Sequence, residues 1–159
     1  MTENECTRRP AMDLEPPSVP DLTPWLARRA TVREFEPDAD IPDAEIRRLL
    51  DAGRKAPTSG TLQMYSFVWV QEQSVRERIH ELCDRGTTQI ETASHFLLVC
   101  IDLRRIRQLL EHRDRQFQIA PAMGLLEGAI DASLAAMGTM VAAESRGYGV
   151  CPIGNVLNG

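Results

Sequence analysis

The sequence has no apolar run long enough to span a lipid bilayer. Its longest strongly apolar segment, Phe96–Ile101, covers six residues, whereas a membrane-spanning helix needs about 20. The N-terminal segment also lacks the continuous apolar stretch of a secretory signal. We therefore predict a cytoplasmic protein that makes no membrane contact.

Lysine is nearly absent, and the cysteines are widely scattered in the sequence. Of the 18 basic residues only Lys55 is a lysine, and the 4 cysteines form no C-x-x-C pair. His80 and Cys83 share one helical face, but no second pair has zinc-type spacing, so we predict neither a disulfide scaffold nor a metal site. The net charge of −5 argues against a nucleic-acid partner, which would need a clustered basic face.

What the sequence does contain is an acidic, proline-rich start followed by one domain's length of chain. Residues 1–24 hold five acidic residues against two arginines, which is three of the five net negative charges, and five of the ten prolines. This segment has no hydrophobic periodicity, so we predict a disordered tail over residues 1–21. Residues 22–159 are predicted to form a single domain.

Helical and strand patterns alternate along that domain. We predict helices over about 21–29, 41–56, 74–84, 103–117 and 123–146, and strands over 66–71, 95–102 and 150–153. The third helix would begin with a capping box at Ser74 and Glu77. The last helix is rich in glycine and alanine, so other backbones can approach it closely, and we expect it to be central or to lie at a subunit interface. The alternation indicates an α/β or α+β domain.

The common catalytic and nucleotide-binding motifs are missing. Gly147, Gly149 and Gly154 follow a helix instead of opening one, and Asn155 stands where a phosphate-binding loop has its lysine. No Ser/His/Asp or Cys/His arrangement can be assembled, so no catalytic side chain is predicted.

Two polar segments remain. Arg29 and Arg33 flank the hydroxyl of Thr31, a set of donors that suits a phosphate but also suits a solvated helix end. Residues 56–60 form a loop of small side chains whose backbone could approach a flat ring, although alone it is only a turn.

Taken in order, these segments resemble the opening of the nitroreductase family of FMN-dependent oxidoreductases. The similarity is greatest to the NADPH-dependent, oxygen-insensitive nitroreductases and related flavin reductases. The matching segments are Arg29-Ala-Thr-Val-Arg-Glu-Phe35, Ile41-Pro42 with its helix, Ala56-Pro-Thr-Ser-Gly-Thr-Leu-Gln63, and residues 90–102, 128–131, 142–149 and 153–154.

The resemblance implies an α+β fold: a three-layer sandwich with a mainly antiparallel sheet between helices, and a long central helix rich in small residues. It also implies an intertwined homodimer with FMN in clefts at the interface. NAD(P)H would reduce the flavin, which would then reduce a nitroaromatic, a quinone or free flavin in a ping-pong cycle.

The residues that the resemblance assigns to FMN fall into groups along the chain. Residues 29–33 would hold the ribityl phosphate, the 58–60 loop would lie along the flavin with a polar contact near residue 89, and residues 153–155 would cover the ring system. The individual residues are Arg29, Ala30, Thr31, Arg33, Thr58, Ser59, Gly60, Gln89, Ile153, Gly154 and Asn155.

The sequence departs from the family pattern at several points. Ala30 replaces a basic residue, Thr61 occupies a place often held by Asn, and Leu157 stands where close relatives carry Arg. Family members also continue well past residue 159 with further phosphate ligands and a C-terminal arm, so we expect a domain that is incomplete at its C-terminus. These departures keep two alternatives open: an impaired or inactive flavin-binding or dimerising remnant, and an unrelated α/β interaction domain.

Overall fold

The computed structural model describes residues 21–36, 39–83 and 87–154. The chain divides into two compact units, residues 1–30 and residues 31–159. Residues 1–20 of the predicted tail lie outside the described residues, so its disorder and the domain boundary at residue 22 stay predictions.

The described part of the first unit contains the short helix α1 (Thr23–Leu26). Its start is fixed by the Asp21 carboxylate, which accepts a hydrogen bond from the Thr23 N–H at 2.9 Å. Beyond the helix, the N–H groups of Arg28 and Arg29 donate to carbonyls only three residues back. The helix is therefore shorter than the predicted 21–29, because its last turn has the tighter 3₁₀ geometry.

Helices and strands alternate along the second unit. They are α2 (Asp43–Gly53), β1 (Tyr65–Val70), α3 (Gln73–Leu82), α4 (Gln89–Thr92), β2 (Phe96–Ile101), α5 (Leu103–Glu111) and α6 (Pro121–Ser145). The two strands pair antiparallel, with Tyr65 opposite Ile101 and Val70 opposite Phe96. This order and pairing agree with the α+β arrangement expected from the sequence.

The capping box predicted at Ser74 and Glu77 is wrong. The helix α3 begins at Gln73 with Glu72 as its N-cap, and no side chain caps this end. Ser74 therefore lies inside the first turn, where its hydroxyl cannot take the N-cap position. The backbone carbonyl of Glu72 instead accepts the Arg76 N–H at 3.2 Å.

Three other predicted elements differ from the structure. The helix predicted over residues 41–56 is shorter and covers Asp43–Gly53. The helix α5 ends at Glu111 rather than near residue 117, and Asp114 adopts a left-handed conformation (φ 52°) soon after its end. Residues 150–153 form no strand. The backbone there accepts a hydrogen bond from the Val32 N–H at the Val150 carbonyl, at 3.1 Å.

The small residues of α6 do allow close approach, as predicted. A Cβ atom on Gly53 of α2 would lie 2.0 Å from Thr139 Oγ1 and 2.7 Å from the Ala135 carbonyl oxygen, both in α6. A Cβ atom on Gly128 of α6 would lie 2.5 Å from Ile101 Cγ2. Because only glycine fits at these two positions, α6 packs directly against both α2 and the sheet.

The opposite face of α6 is apolar and exposed in the single chain. Its large side chains recur three or four residues apart, the spacing of one helical stripe: Met123, Leu126, Ile130, Leu134 and Met137. By length and composition this helix could also cross a membrane. Glu127 and Asp131 interrupt its apolar sequence. Length and composition alone do not distinguish a membrane span from a core or interface helix.

Candidate functional site

A cavity of about 190 Å³ opens on the second unit beside residues near the C-terminal end of the described chain. One wall is polar, with a guanidinium, a hydroxyl and a carboxamide, and the other is a short stretch of backbone and small side chains. The lining residues are Arg33, Thr87, Gln89, Cys151, Pro152, Ile153 and Gly154.

Two distant segments form one side of this cavity by pairing their backbones. The bond from Val32 N–H to the Val150 carbonyl places Arg33 beside the segment that begins at Cys151. The pairing requires a glycine, because a Cβ atom on Gly149 would lie 2.9–3.1 Å from three side-chain atoms of Val32. This pairing places the guanidinium of Arg33 and the backbone segment that begins at Cys151 at the same cavity.

The short helix α4 supplies the polar side. Ile90 is completely buried against Val70 and Phe96, and Ile153 packs on the same cluster. Because Ile90 anchors the helix, its neighbour Gln89 is left at the cavity wall. The side-chain amide of Gln89, the first residue of α4, therefore lines the same cavity as Arg33.

A second feature lies beneath the loop formed by residues 58–64, which we call the 58–64 loop. Asp131 of α6 is completely buried, and its carboxylate accepts the backbone N–H of Ser59 at 3.0 Å and of Met64 at 3.1 Å. Gly60 within the loop has a left-handed conformation (φ 54°). The turn predicted for these small residues is therefore present, but it is held by a carboxylate that sequence reasoning missed.

One signal for Asp131 was present in the sequence. It is an acidic residue on the small-residue stripe that includes Gly128, Ala132 and Ala135, which is the buried side of α6. A carboxylate at such a position needs hydrogen-bond donors, because burial of an unpaired charge is costly. The sequence does not say where those donors lie along the chain.

The predicted flavin residues are only partly brought together. Arg33, Gln89, Ile153 and Gly154 line the cavity, whereas the 58–60 residues do not line it. Three predicted residues lie around the boundary between the units: Arg29, which is half-buried, Ala30, which is exposed, and Thr31, which is half-buried. Asn155 lies outside the described residues.

The described residues contain no group of three or more His, Cys, Asp or Glu side chains that could hold a metal ion. His80 Nδ1 contacts the Glu91 carboxylate, which ties α3 to α4. Cys83 is buried in the apolar cluster around Ile90. The shared helical face of His80 and Cys83 therefore has a structural explanation.

Comparison with known proteins identifies the fold. A sequence model described as the nitroreductase family matches residues 26–158. An "NADPH-dependent oxidoreductase" of Staphylococcus haemolyticus is 30% identical over 135 residues, which cover 84% of this chain and 53% of that protein. The chain thus spans about half the length of the curated relatives it matches.

Solved structures agree with the sequence match. The hypothetical oxidoreductase YcnD from Bacillus subtilis superposes with a TM-score of 0.79 at 30% identity, covering 87% of this chain and 55% of that chain. The NADPH:FMN oxidoreductase from Vibrio harveyi, complexed with NAD⁺, gives a TM-score of 0.68 at 28% identity, with coverages of 76% and 50%. The alternative of an unrelated α/β interaction domain is thereby excluded, and the expected α+β class is confirmed. The chain belongs to the nitroreductase family.

Proposed function

We propose that this chain belongs to an NAD(P)H-dependent oxidoreductase and supplies part of its FMN site. The observation that carries the proposal is the convergence of Arg33, Gln89 and the backbone of residues 153–154 on one cavity. Relatives named as NADPH-dependent and NADPH:FMN oxidoreductases support the reaction class.

The residues present fit a flavin mononucleotide. A guanidinium such as Arg33 matches phosphate oxygens, the Gln89 carboxamide can donate and accept at a polar ring edge, and Ile153 offers an apolar surface. Bound FMN would take a hydride from NAD(P)H and pass the electrons to a nitroaromatic, quinone or free flavin acceptor. The chain itself would bind and orient the FMN. The reaction therefore needs no nucleophilic side chain, and none is predicted from the sequence motifs.

We also propose that the working form is a homodimer. The cavity of about 190 Å³ is smaller than the roughly 300–1,000 Å³ of usual cofactor and ligand sites, so a single chain supplies only part of the enclosure. The apolar stripe of α6 that includes Leu126 and Ile130 is exposed at the same time. A second copy would cover this stripe and supply the missing wall. Burial of the stripe in a dimer accounts for its hydropathy without a membrane, and we place the protein in the cytoplasm.

The first test is binding and turnover by the purified chain. We expect FMN to bind, as measured by quenching of its fluorescence, and NADPH oxidation to depend on added FMN and a quinone. Binding without turnover would favour the alternative, a flavin-binding remnant. The proposal would be refuted if the chain neither bound FMN nor oxidised NADPH in an FMN-dependent reaction.

The second test addresses the phosphate. Arg33→Gln should weaken FMN binding by about ten- to hundredfold, the value of a charge-assisted hydrogen bond, and should leave the affinity for riboflavin unchanged because riboflavin has no phosphate. The matched control is Arg104→Gln, the same change at an exposed position of α5. Equal losses for FMN and riboflavin would place the phosphate elsewhere.

A further inference from the structure

The 58–64 loop has an uncommon backbone. Gly60, Thr61 and Gln63 all take left-handed conformations, with φ values of 54°, 58° and 51°. Glycine adopts this region readily, but it is unusual for a β-branched residue such as Thr61. Such conformations persist only where the surroundings hold them, and they cluster at ligand-binding sites.

Asp131 holds this loop from below. One carboxylate oxygen accepts the Ser59 N–H at 3.0 Å and the other accepts the Met64 N–H at 3.1 Å. The two donors lie at opposite ends of the left-handed stretch, so a single side chain fixes both ends. Asp131 is completely buried, so these N–H groups are the partners that make its burial tolerable.

The surroundings leave the loop little freedom to move away from Asp131. The Met64 carbonyl accepts the Asp102 N–H at 3.0 Å, and the Arg105 guanidinium donates to the Gln63 carbonyl. From the side of α6, a Cβ atom on Gly128 would lie only 3.3 Å from the Met64 carbonyl oxygen. The end of the loop is therefore fixed between α5 and α6, and Asp131 supplies the bond that reaches its beginning.

We propose that Asp131 is a positioning residue, which holds the backbone of Ser59 and Gly60 in place. These two residues lie outside the cavity lined by Arg33 and Gln89, and they belong to the loop that the family resemblance assigns to the flavin. The consequence for FMN binding rests on the proposed function. The carboxylate is needed because two N–H donors require two acceptor oxygens on one side chain. An asparagine offers one acceptor and turns its NH₂ group towards the other donor, and an alanine offers none.

The test compares Asp131→Asn with Thr139→Val in the full chain. Thr139 is a matched control, because it is also a buried polar residue of α6, but its hydroxyl bonds only within the helix, to the Ala135 carbonyl at 3.0 Å. The readouts are the affinity for FMN, amide hydrogen exchange at Ser59 and Met64 in the cofactor-free protein, and the thermal midpoint.

We expect Asp131→Asn to raise the Kd for FMN about tenfold or more, as for the loss of a charged hydrogen bond, and to accelerate exchange at both amides. Thr139→Val should lower the thermal midpoint without changing the Kd or these exchange rates. If Asp131→Asn binds FMN as the parent does, the positioning role is refuted. If the parent itself does not bind FMN, the proposed function fails, and the exchange rates still decide whether Asp131 holds the loop.

A second variant removes one of the bonds from the loop side. Ser59→Pro deletes the N–H that Asp131 accepts at 3.0 Å and puts the ring Cδ in the place of its hydrogen, so this end of the loop must move away from the carboxylate. The extended backbone of Thr58 (φ −136°, ψ 152°) permits a following proline. This variant leaves α6 unchanged, so it serves even if Asp131→Asn does not fold. We expect weaker FMN binding and faster exchange at Met64. Unchanged FMN affinity here would also refute the proposal.

Discussion

The backbone N–H of Val32 donates to the carbonyl of Val150 at 3.1 Å, and the Val32 side chain fills the space beside Gly149. This pairing brings Arg33 to the cavity wall formed by residues 151–154. It joins parts of the chain that are more than a hundred residues apart in sequence. The geometry of the candidate site therefore depends on a contact outside the cavity.

We predict that Gly149→Ala will separate these two segments. The new methyl group would lie 2.9 Å from Val32 Cγ1, and overpacking of this kind costs about 1–3 kcal/mol. The free energy of unfolding in urea and the affinity for FMN should both fall. Val32→Ala in the same chain should restore part of each, because it removes Cγ1 and Cγ2, whereas Cβ, at 3.0 Å, remains. A double variant no better than Gly149→Ala would show that the contact does not position the site.

We predict that the α6 stripe mediates dimerisation. Leu126→Glu or Ile130→Glu places a charge on an apolar surface that a partner would bury, so sedimentation velocity should show a dimer for the parent and a monomer for each variant. Gln108→Glu, at an exposed position of α5, adds the same charge elsewhere and should leave the dimer intact. A parent that is monomeric at micromolar concentration would contradict the assignment.

The elements themselves were largely predictable, because hydrophobic spacing is local information. Ile46 and Leu49 lie at helical spacing and are both buried in the core against Ala143. The small residues of α6 correctly predicted close packing, since a missing side chain permits an approach whatever the partner. The capping box at Ser74 was wrong because the N-cap is Glu72, and a two-residue shift of the helix start is not determined by the local pattern.

The site was only partly predictable, because its geometry comes from contacts between distant residues. Nothing near Asp131 in the sequence indicates that its partners are Ser59 and Met64, 72 and 67 residues away. Thr61 lies between these two bonded residues and has a left-handed conformation, which is unusual for a β-branched residue. Resemblance to a family assigned Arg33 and Gln89 to one ligand, and the cavity that contains both is a property of the fold.

We predict that Arg76 is a structural residue whose loss destabilises the domain. Its guanidinium is buried and donates to the carbonyls of Val70 at 3.0 Å, Ala93 at 2.8 Å and Ser94 at 3.2 Å, which tie α3 to the ends of β1 and β2. Burial lowers the pKa of this group. Arg76→Met should reduce the free energy of unfolding by about 2–4 kcal/mol, since several buried carbonyls lose a charged donor.

The control for this prediction is on the same helix. Arg78 forms an exposed ion pair with Glu81, and Arg78→Met should change the free energy of unfolding by no more than about 0.5 kcal/mol. Urea unfolding followed by circular dichroism measures both variants. Equal effects of the two substitutions would show that the three carbonyl bonds contribute little.

We predict that Asp102 contributes to the dependence of stability on acid pH. The Ser66 hydroxyl donates to this carboxylate, the Arg105 N–H donates to it at 3.0 Å as the cap of α5, and these bonds hold the pKa of Asp102 below its ordinary value. Because the pKa in the unfolded chain, about 3.9, is the higher one, the unfolded state binds the proton more tightly. The stabilisation is therefore complete above the unfolded pKa and is lost as the pH falls through the folded one.

Asp102→Asn and Ser66→Ala should both flatten the decline of the urea midpoint between about pH 5 and pH 3. The control is Ser133→Ala, which removes a hydroxyl bonded to a backbone carbonyl and should leave the decline unchanged. If Ser66→Ala and Ser133→Ala gave the same curve, the hydroxyl of Ser66 would not be what lowers the pKa of Asp102.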